Sequence, residues 1–209
     1  MNFGESLAYW YFRLNGFMPL TNFVLHRPDP LHRHNADADL LAVRFPHVYE
    51  EVGGKQEDWD NDQFKKWGLD FRNVISLIVE IKTGRYSEES INRAFDERRV
   101  LYALRRLGVV NQEACEEISG ELSRKGVVHY RAFSFAKILV SNSENAVGSC
   151  EKITPCCRIE LQHTVDFIRS RMHRYRADKE VSRMFFSGDL IQFFAWEAGL
   201  SLVDDIPEV

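Results

Sequence analysis

Residues 73 to 82, Asn73-Val74-Ile75-Ser76-Leu77-Ile78-Val79-Glu80-Ile81-Lys82, constrain the fold more than any other stretch of the chain. β-branched and apolar residues fill its centre, the pattern of a strand covered on both faces and lying in the middle of a sheet. Its charges come only at the end. Strand alternation puts Glu80 and Lys82 on one face and Val79 and Ile81 on the other. On a half-exposed strand an acid and a base two residues apart are ordinary surface. On a covered strand they are costly unless they serve a site.

Around this strand the sequence predicts an α/β protein with a mixed central sheet flanked by helices. Residues 3 to 15 carry Leu7, Tyr11 and Leu14 at helical spacing, and Gly16 follows as a stop. Thr21 to His26 and Ala38 to Phe45 read as strands, the second closed by Pro46. Residues 47 to 72 read as an insertion, a loop with a short helix. Ser87, followed by Glu88 and Glu89, starts a predicted helix running to Leu107 before Gly108, and a second runs from Asn111 to about Arg124. Val127 to Val140 reads as one long strand or two short ones. Thr154-Pro155 opens a helix to about Arg176, and Gly188 to Trp196 forms a last one.

A chain of 209 residues can bury one sizeable core, so one domain spanning 1-209 is expected. Its core covers about 3-140, with a helical extension over about 155-200. The formal charge of -4 gives no global basic field, so a nucleic-acid contact must come from a local patch. No apolar run approaches the roughly 20 residues of a membrane span, and the N-terminus lacks a basic leader, so a cytoplasmic protein with no membrane association is expected. Cys115, Cys150, Cys156 and Cys157 then read as reduced thiols.

If the strand at 38 to 45 lies beside that at 73 to 82, Asp39 brings a second carboxylate to Glu80 and Lys82. Mg²⁺ favours one or two carboxylates, with water and a substrate phosphate completing its shell. Phosphodiester hydrolysis needs charge neutralised in the transition state and a water made nucleophilic. A metal on Asp39, Glu80 and the Ile81 carbonyl would do both, with Lys82 orienting the water or adding charge against the phosphate. Asp37 lies two residues from Asp39 and competes for its role.

The arrangement resembles the PD-(D/E)XK, or restriction-endonuclease-like, nuclease superfamily. The resemblance rests on Asp39 in Asp37-Ala38-Asp39-Leu40-Leu41, on Glu80-Ile81-Lys82, and on the order of elements over residues 3 to 140. It implies an α-β-β-β-α-β core, to which the C-terminal helices are added. It also implies a Mg²⁺- or Mn²⁺-dependent deoxyribonuclease, endo- or exonucleolytic, and Glu5 of the first helix as an assistant to the metal site. Ala38 stands where the family has proline, and the segment between Asp39 and Glu80 is longer than in compact members.

Arg85 and Arg93 follow directly on the site and are candidates for phosphate contact, with DNA favoured over RNA. The arginines and lysine from Arg169 to Lys179 read as a solvated helix face. His26, His32 and His34 with Asp29 and Asp37 match no zinc spacing and read as a loop. The Phe185-Phe186 and Phe193-Phe194-Ala195-Trp196 clusters read as core or interface, which a homodimer would suit, while the lack of a strongly basic face suits a subunit that binds substrate with a partner. A setting in bacterial defence or mobile-element biology follows by analogy alone. The competing expectation is a non-catalytic nucleic-acid-binding or assembly domain on the same fold.

Overall fold

The computed structural model describes residues 2–25, 36–142 and 154–175. They form a mixed α/β fold whose sheet has the order β1 (Met18–Leu25), β2 (Ala36–Arg44), β3 (Val74–Lys82), β5 (Phe133–Ser141), β4 (Val127–Tyr130), with β6 (Cys157–Glu160) also paired to β5. In chain order the elements are α1 (Phe3–Leu14), β1 (Met18–Leu25), β2 (Ala36–Arg44), α2 (Asn61–Lys66) and β3 (Val74–Lys82). Then come α3 (Glu88–Ala94), α4 (Glu97–Leu107), α5 (Gln112–Lys125), β4 (Val127–Tyr130), β5 (Phe133–Ser141), β6 (Cys157–Glu160) and α6 (Leu161–Arg174). A 3-10 turn at Gln56–Asp58 precedes α2.

β3 is the middle strand, antiparallel to β2 and parallel to β5. Its two faces close two separate apolar layers. Ile75, Leu77, Val79 and Ile81 pack with Leu7, Tyr11 and Phe12 of α1 and Val165 and Ile168 of α6. Ile78 packs on the other face with Ile91, Val100, Leu104, Ile118 and Leu122 of α3 to α5. A strand covered on both sides has no use for alternating polarity, which is why its sequence up to Glu80 is apolar but for the buried Ser76.

Helix starts follow the local chemistry. Asn2 and Glu5 form a reciprocal capping box at α1, and Asn111 caps α5. Gly108 and Gly126 end α4 and α5 in the left-handed conformation. The stretch expected as one helix from Ser87 to Leu107 is two, because Asp96 leaves helical geometry and accepts the Arg99 N–H as the cap of α4. The 127 to 140 segment is a hairpin, turned at Arg131 with φ 55.

The helix expected from Thr154 begins later. Cys157–Glu160 first pairs in parallel with the end of β5, and only then does α6 start. The segment is no appendage, since Leu161, Val165 and Ile168 belong to the α1-side core. Strands expected at 21 to 26 and 38 to 45 run over 18–25 and 36–44 instead, because their mutual pairing extends from Met18–Val43 to Leu25–Ala36. The helix expected at 188 to 196 lies outside the described residues.

Candidate active site

The β2–β3 ladder stops at the Leu40–Val79 pair. One step beyond it, Asp39 turns its carboxylate into the ladder, and Oδ2 accepts the Ile81 N–H at 2.8 Å in place of a strand carbonyl. In an extended strand a residue's N–H and C=O face the same neighbour, so the Ile81 carbonyl faces the same opening. The two strands therefore part at the residues singled out from the sequence. Asp39 and Glu80 come together there, Asp39 within β2 and Glu80 near the end of β3.

Glu80 is only 8% exposed. Lys82 Nζ donates to its Oε1 at 2.5 Å, with the lysine side chain 28% exposed. This is the same-face pair that alternation requires. Burial first, and then the Glu80 charge, push the Asp39 carboxyl up to about 6, against the Ile81 N–H and Lys82, which favour its ionised form. The Glu5 charge adds a smaller upward push. Two carboxylates thus repel each other at this site, with the Lys82 ammonium offsetting part of their charge.

Glu5 reaches this neighbourhood because the first turn of α1 is pressed against the end of β3. A Cβ on Gly4 would stand 2.1 Å from Thr83 Cγ2 and 3.3 Å from Ile81 Cγ2. The Glu5 carboxylate also closes the capping box, accepting from Asn2 N and Nδ2 at 3.1 and 2.7 Å. Asp37 stands opposite Val24 on the β1 side of β2, and its side chain lies outside the described residues. Among the described side chains, Asp39 is the carboxylate whose charge meets that of Glu80.

A hard divalent cation fits this set. Asp39 and Glu80 supply carboxylate oxygens, the Ile81 carbonyl a third oxygen, and water and phosphate the rest. Among the described residues no group of three or more His, Cys, Asp or Glu side chains is gathered as a metal cage. Such a cage suits zinc better than magnesium. His26, His32, His34 and Asp29 lie outside the described residues, as does Cys150, while Cys115, Cys156 and Cys157 are free thiols.

Arg85 and Arg93 are exposed on the turn and helix that follow β3. In the second basic cluster Arg169 and Arg174 are exposed, as a solvated face requires, and Arg171 departs from it. Arg171 is 5% exposed and donates to the Asp58 carbonyl, and Arg174 Nη1 meets Asp58 Oδ1 at 3.2 Å. These arginines fasten α6 to the 3-10 turn. Arg176 and Lys179, and the Phe185 to Trp196 aromatics, lie outside the described residues.

Sequence reasoning missed a polar pair beside the site. Tyr86, just past the turn after β3, shares a 3.1 Å hydrogen bond with Ser141, the β5 residue paired with Lys82. Nothing in the local sequence couples positions 55 residues apart. Two clefts, of about 420 Å³ beside Trp59 and Phe71 and about 250 Å³ beside Tyr130 and Phe133, contain none of the site residues.

Fold and site together define a mixed α/β protein with a carboxylate, carboxylate, lysine cluster where its central strands diverge. No family model matches the chain, and neither a curated protein nor a solved structure matches it. Among the described residues no helix is long and apolar enough to cross a membrane.

Proposed function

We propose that the chain is a Mg²⁺- or Mn²⁺-dependent nuclease of the PD-(D/E)XK type that hydrolyses phosphodiester bonds of DNA. The observation that carries the reading is the meeting of Asp39, Glu80 and Lys82 at the point where β2 and β3 part. Restriction-endonuclease-like topology, a cytoplasmic setting, a role in bacterial defence or mobile-element biology, and a homodimer or partner subunit belong to the same proposal.

The bound cation would neutralise phosphate charge and lower the pKa of a water. The chain's own groups do the rest. Asp39 and Glu80 would hold the cation, and the Ile81 N–H fixes the Asp39 rotamer at 2.8 Å. Lys82 stays beside Glu80 and presents its ammonium to the phosphate and the attacking water. Arg85 and Arg93 would contact flanking phosphates, which position DNA without reading its sequence.

The test incubates purified protein with plasmid, linear duplex and single-stranded DNA in Mg²⁺, Mn²⁺ or EDTA, alongside Glu80→Ala and Lys82→Ala. Each substitution should cost roughly 10²–10⁴ in cleavage rate, and EDTA should abolish it. Cleavage that survives both substitutions rules the site out. DNA binding without cleavage in any metal replaces the reading with a non-catalytic binding domain.

A further inference from the structure

We infer that Tyr86 and Ser141 are positioning residues that pin the turn after β3 and thereby hold the Lys82 ammonium against Glu80. The inference rests on the proposed nuclease reading for its catalytic consequence, and on geometry for the pin itself. Lys82 is the last residue of β3, and its ladder partner on β5 is Ser141. Beyond Lys82 the backbone leaves the sheet through Thr83, Gly84 and Arg85, with Gly84 in open space and both Gly84 and Arg85 exposed. Tyr86 is the next buried residue, 5% exposed, seated in the apolar layer with Ile91, Phe95 and Leu139.

Its hydroxyl meets the hydroxyl of Ser141, which is also 5% exposed. The chain is thus tied to β5 on both sides of the turn, by the ladder at Lys82 and by this hydrogen bond at Tyr86. Both ties converge on one β5 residue. Two buried hydroxyls that satisfy each other fix an orientation that packing of the ring alone leaves free to rotate and slide. The turn they hold also carries Arg85, so the same pin sets where that cation stands.

Tyr86→Phe keeps the ring and removes one oxygen, and Ser141→Ala removes the other. Hydrogen exchange and the Lys82 Nζ resonance are read in metal-free protein, and cleavage of plasmid DNA in Mg²⁺. Either variant should speed exchange at residues 83–85 about tenfold while the rest of the sheet is unchanged, and broaden or shift the Lys82 signal. kcat should fall roughly ten- to a hundredfold with KM for DNA within about twofold, and the double variant should be no worse than either single one. Unchanged exchange at 83–85, acceleration spread evenly over the sheet, or wild-type kcat in Tyr86→Phe overturns the inference. A wild type that cuts no substrate sinks the nuclease reading, while exchange and the Lys82 resonance still decide whether the pin exists.

Discussion

Asp39 sits in a position that burial and a neighbouring carboxylate make unfavourable for a charge. Its carboxyl is pushed up to about 6, from 3.8 in an unfolded chain. A raised carboxyl pKa means that the folded state holds its proton more tightly than the unfolded state. Stability linked to Asp39 is therefore greatest below about pH 3.8, is lost as pH rises towards 6, and stays lost above. Asp39→Asn keeps an oxygen for the Ile81 N–H and removes the charge. In EDTA at pH 7.5 it should stabilise the protein by about 1–3 kcal/mol in urea denaturation, with the gain gone at pH 4, while cleavage is lost. Equal stability of the two proteins at both pH values would contradict the electrostatic picture of the site. Glu80 and Lys82 were legible from the sequence because alternation along one strand needs no knowledge of any other. Asp39 required a register across more than thirty residues, and its geometry, a side chain replacing a ladder carbonyl, is invisible to pattern. Arg44 was missed altogether. It is fully buried, stacked at 3.9 Å on Phe71 and 4.1 Å on Trp59, with Nε donating to the Asn15 carbonyl at 3.0 Å.

At the scale of elements, what was legible depended on whether an element is defined by itself or by its partners. β3 and the capped helices α1 and α5 carry their own signals, in an apolar run broken only by Ser76 and in Asn2 and Asn111. β6 does not. Its four residues alternate only loosely, and they become a strand because the edge of β5 beyond β4 is free to pair with them. The break between α3 and α4 was written in the sequence as Asp96, but periodicity runs across it and hid the cap. The docking of α1 on β3 yields a test at this scale. Gly4→Ala would put a methyl 2.1 Å from Thr83 Cγ2, so the helix start must move or the threonine rotate. The substitution should destabilise by about 1–3 kcal/mol and weaken cleavage, and Thr83→Ser in the same chain should restore most of both. Thermal unfolding and plasmid cleavage of the four proteins decide it. Full activity in Gly4→Ala would mean that the approach of α1 does not shape the site.

Over the whole molecule, another buried charge with a shifted pKa lies two strands away from Asp39. Lys137 of β5 is fully buried beneath α5, its Nζ donating to the Ser123 carbonyl at 3.2 Å, and burial lowers its pKa to about 8. For a base the sign reverses. The unfolded chain holds the lysine proton more tightly, so stability rises with pH between about 8 and 10.5, and the penalty is complete below 8. The penalties at Asp39 and Lys137 are thus both in force between about pH 6 and 8, where most proteins are most stable. Asp58 works the other way. Burial pushes its carboxyl up, but Tyr175, the Lys55 N–H and the arginines of α6 together outweigh that and hold it below the usual range, so its contribution is lost only as acid protonates it. Lys137→Met should therefore stabilise by about 1–3 kcal/mol at pH 7, with the gain shrinking from pH 8 upwards and vanishing near 10.5. Combined with Asp39→Asn, the gains at pH 7 should add to within about 0.5 kcal/mol, because the two sites share no partner. Urea midpoints of the four proteins at pH 4, 7 and 10.5 in EDTA give the comparison. If Lys137→Met instead destabilises at every pH, the Ser123 carbonyl and the Phe95 ring 5.7 Å away outweigh desolvation, and the lysine belongs to the fold's support.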